Sequence, residues 1–290
     1  MKVTHPDRVI DRSTRLTKLD LVRYYEAVAD SLLPHLAGRP CTLLRAPRGI
    51  EGARFVQRHR ERARIPGVAE LDPAKWPDHA ALLEVNTVEG VVGACQMNTI
   101  EFHVWNARSD RLDVPDRMMF DLDPGARTTW PQVREAAQAV HEVLERLGLK
   151  SWLKTSGSRG LHLIVPLRRS ADHQTIRTIA LAIVRQAVQA APRLLVARSG
   201  SSNRAGRVFV DYLRNGIGAS AVAAYSARAR PGLPVSMPIG WKQLADVADA
   251  GHWTTLTTVD YLAGRKRDPW AALASCRQAL PAAARALVAG

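Results

Sequence analysis

The sequence predicts an α+β fold, on three observations. Apolar residues recur every three or four positions in several long segments, as in amphipathic helices, and shorter segments alternate apolar and polar residues, as in half-buried strands. The predicted strands follow one another in hairpins rather than alternating strictly with helices, which favours antiparallel sheets. The chain has 290 residues, 46% of them hydrophobic, and is long enough to bury its own core. No apolar run approaches the roughly 20 residues that span a bilayer.

The first part of the sequence predicts one long helix and three strands. Thr17 with Asp20 three positions later is typical of a helix N-terminus, and apolar residues then continue at helical spacing to Leu36. Gly38 ends this helix. The strands cover 41–45, 82–85 and 100–105, a basic segment covers 54–60, and 86–96 is a small-residue helix or a loop.

The rest of the sequence predicts a hairpin between longer helices. A tight turn at 156–160 separates two apolar runs, which indicates a hairpin, and Pro124-Gly125 ends the strand before it. The strands cover 118–123, 152–154, 161–165 and 208–212, the helices cover 128–147 and 172–191, a Gly- and Arg-rich loop covers 215–231, and helical segments start at Trp241 and Trp270.

The charge of the chain indicates a polyanionic partner. Lys and Arg number 41 against 27 Asp and Glu, a formal net charge of +14, and 34 of the basic residues are Arg. A sequence pI near 10.5 is typical of nucleic-acid binders. An Arg-rich genome would raise the Arg content without any such partner, so the charge needs support from motifs.

The cysteines and the N-terminus predict a cytoplasmic protein rather than a secreted or membrane protein. Cys41, Cys95 and Cys276 are odd in number and lie far apart, without the spacing of a zinc site, which favours a reducing compartment. The first residues contain no apolar segment of a secretory signal.

Asp121 and Asp123 are the first candidate catalytic residues. Side chains two apart in a strand point to the same face, so both carboxylates lie together and repel unless a cation neutralises them. Oxygen ligands suit Mg²⁺ or Mn²⁺. Asp-x-Asp pairs also cap turns or face solvent, so the motif alone is weak.

Asp211 strengthens the interpretation because it lies in an apolar strand, where an unpaired carboxylate is costly to bury. One explanation is a salt bridge, for example to Arg207. The other is a third carboxylate that completes a two-metal site, with the ions roughly 3.5–4 Å apart for an in-line phosphoryl displacement.

The turn at 156–160 is a candidate phosphate site. Ser156, Ser158 and the glycines let a backbone approach an anion, and Arg159 and His162 add donors nearby. The turn matches neither the Walker A pattern nor GxGxxG. An ordinary hairpin turn and a buried core histidine are the alternatives.

Several arginines bracket Asp211 in the sequence. They form either a triphosphate clamp or a solvated face. The sequence contains no GxSxG elbow and no HExxH motif, so metal-assisted phosphoryl transfer remains as the reaction class. These arginines are Arg204, Arg207, Arg214, Arg228 and Arg230.

With these residues the sequence resembles the polymerase domain of bacterial ATP-dependent DNA ligase D, of the archaeo-eukaryotic primase superfamily. The similarity runs through nearly the whole chain in the order typical of the family. The segments that carry it are His5–Arg8 (HPDR), 120–125 (FDLDPG), 154–162 (KTSGSRGLH), 204–212 (RAGRVFVDY) and 223–230 (AAYSARAR).

The resemblance implies a primase-polymerase-like fold whose mixed and antiparallel sheets form a central cleft flanked by helices. It implies one catalytic domain over 1–290, with a DNA-end-binding part (1–100), a catalytic core (101–232) and a C-terminal helical part (233–290). The implied activity is a nucleotidyltransferase that fills gaps and extends ends in non-homologous end joining, prefers ribonucleotides and uses a two-metal mechanism with Mn²⁺ or Mg²⁺. The implied partners are gapped or 3′-protruding DNA with a recessed 5′-phosphate, Ku, and ligase and phosphoesterase domains.

The resemblance also implies a role for each site residue. The metal ligands fall on Asp121, Asp123 and Asp211. The nucleotide pocket falls on His103, Ser156, Ser158, Arg159, His162, Arg204 and Arg228, the 5′-phosphate contacts on Arg8 and Lys18, and the template and gap contacts on Phe55 and Arg58.

The sequence departs from the family pattern at three positions. Val56 stands where a second aromatic is frequent, which weakens one base-stacking platform, and Arg159 and Arg8 stand where Lys is usual.

Two alternative functions stay open: a non-catalytic module that grips DNA ends, and a metal-dependent nuclease that uses the same carboxylates. The sequence carries no ligase lysine motif, so we expect either an excised domain or a free-standing homologue.

Overall fold

The structure is a computed structural model that describes residues 3–61, 64–77, 79–200 and 202–288. It contains fourteen strands and seven α-helices within these ranges. In chain order they are β1 (Val9–Asp11), β2 (Leu16–Thr17), α1 (Lys18–Ala27), α2 (Ala29–Leu36), β3 (Cys41–Arg45), β4 (Phe55–Gln57), β5 (Ala69–Glu70), β6 (Leu83–Glu84), α3 (Val88–Gln96), β7 (Thr99–Trp105), β8 (Arg117–Pro124), α4 (Trp130–Arg146), β9 (Trp152–Thr155), β10 (Leu161–Pro166), α5 (His173–Ala190), β11 (Leu195–Val196), β12 (Val208–Asp211), β13 (Ser220–Val222), β14 (Pro238–Ile239), α6 (Thr258–Gly264) and α7 (Ala282–Ala286).

The chain folds into two compact units, each with its own sheet. The predicted division of one domain into 1–100, 101–232 and 233–290 stays a prediction. Unit 1 comprises Met1–Leu112, Ser220–Met237 and Gly251–Lys266, and unit 2 comprises Asp113–Ala219, Pro238–Ala250 and Arg267–Gly290.

Unit 1 is built on a four-stranded antiparallel sheet in the order β13-β7-β3-β4. Strand β7 is central and largely buried, and α1 and α3 pack against each other beside it. Tyr25 is fully buried and donates a hydrogen bond to the carbonyl of Ile100 in β7 at 2.6 Å. Its ring also contacts Phe102 edge to face, with centroids 5.1 Å apart. The helix–sheet core of this unit therefore fixes the position of β7.

The long helix predicted after Thr17 is two helices in the structure. Its N-terminus is as predicted, because the side chains and backbones of Thr17 and Asp20 form a reciprocal capping box. The helix is interrupted at Val28, whose backbone (φ −99°, ψ 6°) leaves the helical region, and α2 follows directly. The apolar spacing continues across the break, because Leu32 and Leu36 are buried like Leu21 in α1.

Unit 2 is built on a six-stranded sheet in the order β11-β12-β8-β10-β9-β14. All neighbours are antiparallel except β11 and β12, so the sheet is mixed. In β8 the residues Met118, Phe120 and Leu122 are fully buried, whereas Asp121 and Asp123 are half-buried. Helices α4 and α5 both contact β8. The alternation expected from the sequence therefore leaves one face of β8 for polar side chains.

The remaining differences from the predictions lie in short, irregular segments. The predicted loop 215–231 contains β13, whose three residues pair with β7 although they are too short to show alternation. The predicted helix from Trp270 is a series of turns that ends in α7, and the segment from Trp241 is a short 3₁₀ helix. Residues 86–96 form the helix α3 over most of their length. No helix among the described residues is long and apolar enough to cross a bilayer.

Candidate active site

Three carboxylates share one face of the unit 2 sheet. Asp211 at the end of β12 lies directly opposite Asp121 in the neighbouring β8, and Asp123 lies two residues further along β8. Directly paired residues in adjacent strands point to the same face, as do residues two apart in one strand. The strand register therefore places Asp121, Asp123 and Asp211 on one face of the sheet.

The row of charged residues continues on the same face of the sheet, in β10 and β9, the strands on the opposite side of β8 from β12. His162 in β10 lies opposite Asp121, and Lys154 in β9 lies opposite His162. The His162 Nε2 atom lies 3.3 Å from Asp121 Oδ1, and Lys154 Nζ lies 2.9 Å from His162 Nδ1. Because an ammonium group only donates, His162 Nδ1 accepts this bond and the neutral ring carries its proton on Nε2, facing Asp121.

These neighbours hold Asp121 in its ionised form. Burial alone would raise its pKa, but His162, Arg214 and Lys154 outweigh burial and lower the pKa of Asp121 to about 2. Sequence reasoning missed Lys154, which is buried in an otherwise apolar strand. The tight turn at 156–160 was the available signal, because it pairs residue 154 with residue 162.

The pKa of Asp211 is shifted in the opposite direction. Its pKa is raised, first by burial and then by repulsion from Asp121 and Asp123, against the opposing effect of Arg214. The Arg214 Nε atom lies 3.3 Å from Asp211 Oδ2 and 3.6 Å from Asp121 Oδ2. The salt bridge considered from the sequence, to Arg207, is instead made with Arg214.

The loop that carries Arg214 is fixed by Asn215, which sequence reasoning also missed. Asn215 is buried, and its side-chain amide accepts a hydrogen bond from Met119 N (2.8 Å) and donates one to Met119 O (2.7 Å). The amide thus pairs with β8 in the place of a backbone peptide, beyond the end of β12. This anchor positions Arg214 beside Asp121 and Asp211.

Asp123 is paired with two arginines. The Arg204 Nη1 atom contacts Asp123 Oδ2, and Arg159 Nη2 lies 3.7 Å from Asp123 Oδ1. The loop that carries Arg204 packs directly on Gly125, where an added Cβ would lie 1.7 Å from the carbonyl oxygen of Arg204. Only glycine permits this approach, which explains the residue after Pro124.

The donor set of this face suits hard divalent cations, because it offers carboxylate oxygens that repel one another. Among the described residues, no group of three or more His, Cys, Asp or Glu side chains is arranged to hold a metal ion. In the structure the carboxylates contact arginine and histidine side chains instead. The assignment of Asp121, Asp123 and Asp211 as metal ligands therefore stays a prediction.

The turn after β9 is held together by its own side chain. Ser156 Oγ accepts hydrogen bonds from the backbone N–H groups of Ser158 (3.2 Å) and Gly160 (3.1 Å). At Gly160 an added Cβ would lie 1.8 Å from the carbonyl oxygen of Leu122, so the turn packs closely on β8. Arg159 at the tip has a side chain that is 56% exposed. The turn thus presents Arg159 from a fixed backbone next to the acidic face.

A second charged cluster lies in unit 1 and centres on Glu101, a residue that sequence reasoning missed. The carboxylate of Glu101 is buried, and it accepts hydrogen bonds from Arg228 Nε (2.9 Å) and Ala229 N (2.8 Å) and contacts His103 Nε2 at 2.7 Å. Burial would raise its pKa, but His103 and Arg228 lower the pKa of Glu101 to about 2. The structure thus brings together the predicted nucleotide-binding residues His103 and Arg228, on a shared carboxylate.

The two residues predicted to bind a 5′-phosphate are also neighbours in unit 1. The backbone N–H of Lys18 donates to the carbonyl of Arg8, and Lys18 Nζ donates to the carbonyl of Thr4 at 2.9 Å. The Arg8 guanidinium donates to Pro47 O and Asn98 Oδ1, both at 3.1 Å. The pKa of Lys18 is lowered by burial and by the positive charge of Arg8. The Lys18 side chain is buried, with an exposed fraction of 2%, and the role of Arg8 and Lys18 in binding a 5′-phosphate stays a prediction.

The predicted template contacts lie on and beside β4. Phe55 and Val56 have exposed fractions of 37% and 52%, and Arg58 is exposed. The Arg45 guanidinium carbon lies 4.8 Å from the centroid of the Phe55 ring, a cation–π distance, and Arg45 Nη1 donates to Gln57. Phe55 therefore offers an exposed aromatic surface that contacts the Arg45 guanidinium.

The sequence matches a known protein family. Residues 17–270 match the sequence model described as LigD, primase-polymerase domain. The chain belongs to the LigD primase-polymerase domain family. This membership confirms the resemblance on which the expected fold and chemistry depend.

The LigD relatives extend well beyond the matched region. The chain is 45% identical over 288 residues to the multifunctional non-homologous end joining protein LigD of Pseudomonas aeruginosa, covering 98% of this chain and 34% of that protein. It is 32% identical over 257 residues to the LigD protein of Mycolicibacterium smegmatis, covering 85% of this chain and 32% of that protein. The chain thus spans about a third of the length of these curated relatives.

A solved structure supports the fold as well. The polymerase domain from Mycobacterium tuberculosis ligase D in complex with DNA matches with a TM-score of 0.87 at 30% identity, over 96% of this chain and 99% of that chain. The predicted α+β class, with mixed and antiparallel sheets of the LigD polymerase type, is confirmed.

Proposed function

We propose that the chain is a nucleotidyltransferase that extends the 3′ ends of DNA in double-strand break repair by non-homologous end joining. The observation that carries the proposal is the row of charged residues on one face of unit 2, with three carboxylates among arginine, histidine and lysine side chains. Membership in the LigD primase-polymerase family supports it. The net charge of +14 fits a nucleic-acid substrate.

The proposal requires two divalent cations, Mn²⁺ or Mg²⁺, and assigns them to Asp121, Asp123 and Asp211. The low pKa of Asp121 keeps this ligand ionised at neutral pH, and the repulsion felt by Asp211 would be relieved by a cation. When bound, such ions lower the pKa of a primer 3′-hydroxyl and offset charge on the phosphates.

The chain's own side chains bind and orient the nucleoside triphosphate, for which we propose a preference for ribonucleotides. Arg159 and Arg204 supply positive donors beside the carboxylates, and the Nε2–H group of His162 adds a neutral donor, where charge develops as pyrophosphate leaves. Ser156 and Ser158 shape the turn that presents Arg159. The proposal also assigns His103 and Arg228 to nucleotide binding.

The DNA substrate of the proposal is a gapped or 3′-protruding end with a recessed 5′-phosphate. Arg8 and Lys18 would bind that phosphate, and Phe55 and Arg58 would contact the template and the gap. The solved relative is in complex with DNA, which supports this class of substrate. Ku and the ligase and phosphoesterase activities of multifunctional LigD proteins are the proposed partners, in the bacterial cytoplasm at the nucleoid.

Primer extension tests the proposal directly. A labelled primer–template is incubated with nucleoside triphosphates and Mn²⁺, using the wild-type protein, Asp211→Asn and the exposed surface variant Glu135→Gln. We expect lengthened primers with the wild type and Glu135→Gln. Asp211→Asn should lose at least about 100-fold in rate while still binding DNA, because only the metal ligand is removed. Undiminished extension by Asp211→Asn would overturn the metal assignment.

The same assay separates the two alternatives. A non-catalytic end-binding module is favoured by the Arg8–Lys18 pair, which can bind a phosphate without any metal, and it predicts salt-sensitive binding with unchanged primers. A nuclease that uses the same carboxylates predicts shortened primers. The arginines beside Asp123 argue against a nuclease, because a nuclease has no triphosphate to hold.

A further inference from the structure

A row of directly paired residues crosses the unit 2 sheet from β9 to β12. Directly paired residues in adjacent strands point to the same face, so their side chains lie next to one another. In order across the sheet, the members of the row are Lys154 (β9), His162 (β10), Asp121 (β8) and Asp211 (β12). The proposed metal ligands Asp121 and Asp211 lie at one end of the row, and Lys154 lies at the other.

Lys154 is an unusual residue for its position in the sheet. Its exposed fraction is 3%, and a lysine is seldom buried so deeply unless a partner takes up its charge. A methionine has a similar length and no charge to bury, so packing alone gives no reason for a lysine here. The reason must therefore lie in the group that Lys154 contacts.

The ammonium group of Lys154 contacts the equally buried imidazole ring of His162. Lys154 Nζ lies 2.9 Å from His162 Nδ1, and on the far side of the ring His162 Nε2 lies 3.3 Å from Asp121 Oδ1. An ammonium group only donates, so His162 Nδ1 is the acceptor and carries no proton. Of the ring flips and neutral tautomers open to a histidine, only one places an acceptor at Lys154 and an N–H donor at Asp121.

We infer that Lys154 is a positioning residue that holds the His162 ring with its Nε2–H group directed at the carboxylate face. The inference rests on the proposed function, in which this N–H group donates where charge develops as pyrophosphate leaves. Lys154 itself touches neither the nucleotide nor the DNA. Without Lys154 the ring is free to turn Nε2 away or to carry its proton on Nδ1, and the donor is then out of place.

A direct electrostatic effect of Lys154 on the carboxylates is the competing explanation. Burial would raise the pKa of Asp121, and Lys154 is one of the groups that lower it, after His162 and Arg214. An effect of this kind acts through space and needs no imidazole ring, so it would persist when His162 is replaced. A role that acts through His162 would disappear together with the ring.

A double-mutant cycle in primer extension separates the two explanations. Lys154→Met keeps the length of the side chain and removes its donor, and Lys150→Met makes the same change at an exposed lysine as the control. We expect Lys154→Met to lower kcat about 10- to 100-fold and to leave the KM for nucleotide within about twofold of the wild type, because the donor matters most where charge develops. Lys150→Met should keep both constants.

The second half of the cycle repeats the change in a His162→Ala background. There we expect Lys154→Met to alter kcat by less than about twofold, because the ring on which Lys154 acts is gone. An equal loss of kcat in both backgrounds would overturn the inference in favour of the through-space effect. A wild-type kcat in Lys154→Met would overturn it as well.

Nuclear magnetic resonance of the imidazole nitrogens tests the inference without catalysis. Proton–nitrogen correlation spectra at neutral pH show which ring nitrogen carries a proton, and the signals lost in His162→Ala identify those of His162. We expect a proton on Nε2 and none on Nδ1 in the wild type, and a proton on Nδ1 in part of the Lys154→Met molecules. The wild-type spectrum decides the first point whatever the stability of Lys154→Met.

These spectra also separate the inference from the proposed function. A wild-type protein that shows the expected ring state but never extends a primer would refute the proposed function and leave the positioning of the ring standing. A proton on Nδ1 in a wild-type protein that does extend primers would refute the positioning role alone, as would an unchanged ring in Lys154→Met.

Discussion

Replacing Glu101 with Gln tests how much the buried, ionised carboxylate of Glu101 stabilises the folded protein. The variant keeps the shape of the side chain but removes its charge, and the new amide presents a donor to groups that themselves donate, Arg228 Nε and Ala229 N. The folded protein lowers the pKa of Glu101 from 4.5 to about 2. At 1.36 kcal/mol per unit, this favours the folded state by about 3 kcal/mol at neutral pH.

The sign of the pH dependence follows from the lowered pKa. A carboxyl group with a depressed pKa contributes stability above its unfolded value of about 4.5, and this contribution is lost as the pH falls toward 2. The difference in unfolding free energy between the wild type and Glu101→Gln should therefore be about 3 kcal/mol at pH 7 and shrink toward pH 2.

Denaturant unfolding at a series of pH values measures this difference, and nucleotide titration measures the effect on binding. Glu135→Gln, on an exposed carboxylate, should stay within about 0.5 kcal/mol of the wild type. We also expect Glu101→Gln to bind nucleoside triphosphate more weakly, because His103 and Arg228 lose their common partner. A stability difference that is absent at pH 7, or that stays constant between pH 5 and pH 2, would refute the reasoning.

Two further predictions concern the other clusters. Gly125→Ala should destabilise the protein by about 1–3 kcal/mol in thermal or denaturant unfolding and should reduce primer extension. The reason is that the new Cβ would lie 1.7 Å from Arg204 O and must displace the Arg204 loop from Asp123. A stable, fully active variant would contradict the close packing. Arg8→Ala should weaken binding to gapped DNA with a 5′-phosphate about tenfold and leave binding to the same DNA with a 5′-hydroxyl unchanged, as measured by anisotropy; an equal loss on both substrates would exclude the phosphate role.

The sequence predicts well those features that depend on local pattern. The alternation around Asp121 and Asp123 places both carboxylates on one face of β8, and the tight turn at 156–160 joins β9 and β10 as expected. The capping box at Thr17 is equally local, because it needs only residues three apart.

Features that depend on register between distant strands could not be predicted in this way. Lys154 and Glu101 act through partners on other strands or segments, and nothing in their own neighbourhood shows which partner they meet. Asn215 resembles a loop residue in the sequence, and its role in continuing the ladder of β8 depends on where β12 ends. The break at Val28 is hidden because the apolar spacing continues through it.

The central claim is that the carboxylate face of unit 2 binds two metal ions. The measurement that tests it most directly is Mn²⁺ binding, monitored through the electron paramagnetic resonance signal of the free ion. The wild type and Asp121→Asn are titrated with Mn²⁺ in the presence of a nucleoside triphosphate, with Glu135→Gln as the control. We expect two Mn²⁺ ions per wild-type chain, and a loss of at least one ion in Asp121→Asn. The same stoichiometry and affinity in Asp121→Asn as in the wild type would contradict the assignment of this carboxylate face as the metal site.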